Sequence, residues 1–182
     1  MLSPFTATLV TGLLLFVPGV LLLAGGTSTG PFLKALPRSV AGAIVLFGGA
    51  AVWFLSNVAH ISQADLIFFS TPTPLVVGFG VLAVLAFRYA PDFLAVRGLA
   101  SLVLLGAWPL LMAGFMKFEQ GQIVLYKAAL FAGAVLALWL GAQPWRMRDF
   151  LGWLFGRPVR VTALGGLLAG YGLMLVAVAF TY

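Results

Sequence analysis

Six apolar runs follow one another along the chain, at about 5–24, 40–57, 66–87, 94–114, 123–142 and 161–180. A helix needs about 20 apolar residues to cross the hydrocarbon core of a bilayer. Inside that core each backbone N–H and C=O must find its partner within the protein, and a helix satisfies its own. The runs therefore predict an all-α, polytopic membrane protein with six transmembrane helices. One integral membrane domain covers 1–182, with almost no soluble part. Composition agrees: only 8% of residues are charged and 63% are hydrophobic, against about 25% charged in a soluble domain. No Lys or Arg precedes the first run, so it reads as a retained helix and not a leader.

The third run is the least regular. Pro72 and Pro74 interrupt it, within Ser70, Thr71, Pro72, Thr73 and Pro74. Proline is tolerated in membrane helices where neighbours satisfy the freed carbonyls, so a kinked helix is expected there in preference to a re-entrant piece. Pro18 and Pro109 predict bends in the first and fourth runs.

Charge sets the orientation. Lys34 and Arg38, Arg88 and Arg97, and Arg146, Arg148, Arg157 and Arg160 fall in alternate loops, eight of the ten basic residues on one side. Basic loops mark the cytoplasmic side, which predicts a cytoplasmic (inner) membrane protein with both termini external. The net charge of +6 is spread over these loops and forms no basic helix or patch, so nucleic acid is not an expected partner.

The three basic loops share a pattern. Phe32-Leu33, Phe93-Leu94 and Phe150-Leu151 are each followed by an arginine and then an apolar run. This suggests three helical-hairpin repeats over about 5–57, 66–114 and 123–180. Phe-Leu would dip into the headgroup boundary while Arg stays with the phosphates. The third loop mixes Trp145 and Trp153 with Arg146, Arg148, Arg157 and Arg160, as in an amphipathic helix lying at the interface beside anionic lipid.

Small residues recur every four positions in the fifth run, at Ala129, Gly133, Ala137 and Gly141, and in the sixth at Gly166 and Gly170. Such stripes let a second helix backbone approach closely. Within the bundle or against another membrane subunit, the physics is the same.

Chemistry has few carriers: one His, four carboxylates and no Cys. Without thiols there is no thiolate catalysis, iron–sulfur cluster or disulfide. His60, Asp65, Lys117, Glu119 and Lys127 form a polar set on the outer side. His60, Asp65 and Glu119 would be the only metal-ligand candidates, and Ser62 with His60 and Asp65 the only hydrolytic triad on paper. No motif supports either, and no metal or cofactor is expected. If a solute or ion binds, the proline-broken segment at 70–74 is the place. The leading expectation is a non-catalytic integral membrane subunit or accessory protein of a larger membrane complex. The alternatives are a small channel or transporter centred on the third run, and a membrane enzyme holding lipid headgroups with its arginines.

Overall fold

The computed structural model describes residues 2–66, 69–117 and 119–182, and these form helices joined by short turns, with no strand among them. Five helices are long and apolar enough to cross a membrane: α1 (Pro4–Gly25), α3 (Val40–Ala59), α5 (Leu94–Met112), α6 (Ile123–Ala142) and α8 (Pro158–Ala179). A short helix, α2 (Gly30–Ala35), follows α1. The sixth apolar helix, α4 (Thr73–Tyr89), has 17 residues, a length of about 26 Å at 1.5 Å per residue. A further helix, α7 (Trp145–Leu154), joins α6 to α8.

The third run departs from its expected form. Pro72 is the residue before α4 and Pro74 lies in its first turn, so the prolines start a helix instead of kinking one. Proline suits that place because the first N–H groups of a helix have no internal partner. Residues 63–65 form a separate turn, and positions 67 and 68 of the expected span lie outside the described residues. Pro18 and Pro109 sit within α1 and α5 without ending them.

The main packed pairs follow the order α4–α3–α5–α6–α1–α8, and α8 also reaches α6, where the Tyr171 hydroxyl donates to the Leu125 carbonyl (2.9 Å). The two spans of each suggested hairpin repeat pack mainly on other spans: α1 on α8, α5 on α6 and α3, and α4 on α3. The three Phe-Leu sites also differ. Phe93 takes a left-handed backbone (φ 57°) just ahead of α5, whereas Phe32 and Phe150 lie inside α2 and α7.

Contacts fix the relative directions of the helices. Gly12 of α1 faces Gly172 and Val176 of α8, while Gly19 faces Gly165 and Ala169, so the two run antiparallel. Phe47 meets Phe87, and Phe54 meets Phe79, ring centroids 5.4 and 5.2 Å apart, so α3 and α4 are antiparallel. Gly98 lies against Phe47, and Gly106 near Trp53, so α3 and α5 are parallel. One core cluster joins Ala7 of α1, Leu110 near the end of α5 and Ala113 just past it, Ile123 and Tyr126 of α6, and Leu175 of α8. The starts of α1, α4 and α6 therefore share one end of the bundle with the finishes of α3, α5 and α8.

Two close approaches hold this arrangement. A Cβ at Gly12 would sit 2.9 Å from the Gly172 carbonyl oxygen, and one at Gly172 would sit 2.7 Å from the Gly12 carbonyl oxygen. A Cβ at Gly98 would fall 2.6 Å from the Leu46 carbonyl carbon. There α3 opens into a wider π-type turn over Ala43–Gly48, the kind of local distortion that often marks a special site in a helix.

Candidate functional site

Three places hold the residues singled out from the sequence, and a fourth emerges only from the packing. The first is the end that carries the basic loops. Lys34 Nζ lies 5.9 Å from the Phe155 ring and the Arg38 guanidinium 5.1 Å from the Phe93 ring, tying the first basic loop to the third and to the second. On α7, Leu151 and Leu154 are buried while Trp145, Phe150 and Trp153 are exposed. The Arg146 guanidinium stands 5.1 Å from the Trp139 ring and that of Arg160 4.4 Å from the Trp153 ring. Arg160 also donates to the Trp153 carbonyl (2.7 Å). Arg148 pairs with Asp149 at 2.9 Å, both largely exposed. Cation–aromatic pairs of this kind contribute about 0.5–1 kcal/mol each at exposed sites. They leave the guanidinium N–H groups on Arg146 and Arg160 with capacity to meet phosphate oxygens. Arg88 lies near the Tyr89 ring at 5.9 Å. Arg97 is in the first turn of α5, and Arg157 precedes α8.

The second place is the opposite end. His60 Nδ1–H donates to the Ser56 carbonyl (2.7 Å), and Ser62 donates to Asp65 (2.6 Å). The histidine is thus turned to its own helix and not to Ser62, so the triad conceivable on paper is not assembled. Lys127 donates to the Gly114 carbonyl (3.0 Å) just past the end of α5, where orphan carbonyls welcome a cation. Lys117 and Glu119 lie in the α5–α6 turn, exposed. Among the described residues these side chains form no ion pair and no group of three metal-capable ligands. Ser70, Thr71, Thr73 and Pro74 are exposed, and Pro72 is half-buried.

The third concerns the small residues. Gly133 and Gly141 of α6 face α5, 3.9 Å from Val103 and 3.7 Å from Ala100 when given a Cβ; Ala129 packs against the core cluster and Ala137 is buried. Gly166 and Gly170 do something else. Among the described residues nothing lies within 4 Å of a Cβ at either. The close contact on α8 comes from the neighbouring face, Gly165, Ala169 and Gly172. Adjacent positions on a helix are about 100° apart, so Gly165 turns inward and Gly166 outward.

The fourth place is a cavity of about 830 Å³ between α3, α4 and α5. Its walls are apolar and aromatic, with Phe47, Trp53 and Phe54 from α3, Phe79 from α4 and Trp108 from α5. Besides the indole N–H groups of Trp53 and Trp108, Asn57 and Ser101 are its polar side chains, and no charged residue lines it. Pro109 is in the wall together with Leu105. Because proline has no N–H, the Leu105 carbonyl lacks its usual helical donor. The cavity lies beyond the proline segment, with Phe79 about 9 Å along α4 from Thr73 at 1.5 Å per residue. No family model matches this chain, and the comparisons with curated proteins and with solved structures find no match either.

Proposed function

We propose that this chain is a non-catalytic, membrane-embedded accessory subunit that seats a helix of another membrane protein on α8. The observation that carries the reading is the pair Gly166 and Gly170, four residues apart on α8, where among the described residues nothing lies within 4 Å of a Cβ at either. The same helix already uses the close-packing device on its other face, against α1. Small residues at a four-residue spacing allow backbones to approach, and in lipid that approach replaces the hydrophobic drive available in water.

The reading includes six crossings. The alternating helix directions support it, since α1 and α8 are antiparallel and the starts of α1, α4 and α6 share one end. An even number of crossings returns both termini to one side. The eight basic residues of the other end then face the cytoplasm, beside anionic lipid, with both termini external in a cytoplasmic membrane.

The test is co-purification from native membrane in mild detergent. Gly166→Leu/Gly170→Leu should release the partner while leaving the melting profile of the isolated chain unchanged. A chain that purifies alone as a monodisperse monomer, or a partner retained in full by the double variant, would overturn the reading.

A further inference from the structure

We infer that the cavity between α3, α4 and α5 is a binding site for an uncharged amphiphile, a hydrocarbon chain bearing a hydroxyl-type head, taken sideways from the bilayer.

Access comes first. α4 packs on α3 and makes no comparable contact with α5, so the space opens between two helices at hydrocarbon depth. What enters from there is lipid-soluble. Size comes next: about 830 Å³ lies within the roughly 300–1,000 Å³ of ordinary ligand pockets.

Polarity sets the head and its direction. Asn57 is three residues before His60, at the end of α3 that carries the outer loop. α5 runs parallel to α3 with Gly98 beside Phe47 and Gly106 beside Trp53, which puts Asn57 roughly level with Pro109. The Leu105 carbonyl, which Pro109 deprives of its i+4 donor, lies about one turn deeper. Asn57 donates and accepts, while the carbonyl only accepts. Asn57 is exposed and Ser101 half-buried, and both line the space. A head that donates, such as a hydroxyl, answers both groups. A phosphate head answers neither, because no cation lines the space and an unpaired charge there is costly. The chain would then run toward Phe47 between Trp53 and Phe79.

The experiment uses the whole chain in phosphatidylcholine vesicles. Diacylglycerol carrying a photoreactive diazirine in one acyl chain is one probe, and the same chains on phosphatidylglycerol are the other. Adducts are mapped by mass spectrometry. With diacylglycerol they should concentrate on Phe47, Trp53, Phe79 and Trp108 and be displaced by unlabelled diacylglycerol. Filling the space with Ala51→Phe/Ala83→Phe should cut them about tenfold. Asn57→Leu should cut them about fivefold, the loss of one net hydrogen bond, without changing phosphatidylglycerol labelling. Displacement in the unaltered chain decides the matter even if the filled variant folds poorly. Adducts spread equally over outward residues such as Leu167 and Leu173 of α8, with no displacement, would overturn the inference. So would equal labelling of the cavity by phosphatidylglycerol, the mark of an ordinary lipid-filled gap.

Discussion

Gly19 and Gly166 are the same residue in equally apolar helices, yet they carry opposite tolerances. A Cβ at Gly19 would come 2.8 Å from the Ala169 Cα and 2.9 Å from the Gly165 carbonyl oxygen, all backbone atoms that cannot step aside. Gly98 is confined in the same way by the π-type turn of α3. Gly19→Ala and Gly98→Ala should each destabilise the isolated chain by about 1–3 kcal/mol, the usual cost of overpacking. Gly166→Ala should not destabilise it, and should gain up to about 1 kcal/mol, because the position is open and alanine is the better helix former. Thermal unfolding in detergent checks this, with an equal loss at Gly166 as the contrary result. Lys127 poses a second question at this scale. Its ammonium donates to the Gly114 carbonyl near the end of α5, so Lys127→Met should cost about 1 kcal/mol in the same assay. No loss would mean the contact is idle.

The elements were legible in the sequence to different depths. The long spans declared themselves because hydropathy over about 20 residues reports directly on the medium: α5, predicted over 94–114, is Leu94–Met112, and α6 matches at both ends. The opening of α4 was misread because proline can either kink a helix or begin one, and only context decides. Which glycines pack was also beyond reach. A helix that is apolar all round has no polar face to point outward, so nothing in the sequence separates Gly165 from Gly166. Pro18 announced a bend, and nothing beside it marked Gly19 as a contact. The cavity had no local signal at all. Its walls come from three helices, and Trp53, Phe79 and Trp108 become neighbours only through their packing. The polar residues at the end opposite the basic loops looked like a cluster in sequence, but His60, Asp65 and Lys127 are each bound locally and Lys117 and Glu119 are exposed in their turn.

At the scale of the molecule, the claim beneath the rest is that helix direction reverses at each of six apolar helices, with α4 a full crossing despite its 17 residues. A helix somewhat shorter than the bilayer can be accommodated by local thinning and by flanking anchors, and Arg88 and Tyr89 stand at its far end. The α3–α4–α5 cavity lies at hydrocarbon depth only if α4 crosses, and the basic loops share one leaflet only under the same condition. Because the chain has no cysteine, single cysteines can be placed at will and probed with a membrane-impermeant maleimide in intact cells. Ser3→Cys, Ser70→Cys and Thr181→Cys should label from outside, whereas Ser28→Cys, Pro91→Cys and Gly156→Cys should label only after the membrane is opened. Labelling of Ser70→Cys and Pro91→Cys from the same side, or of Ser3→Cys and Thr181→Cys from opposite sides, would contradict the account.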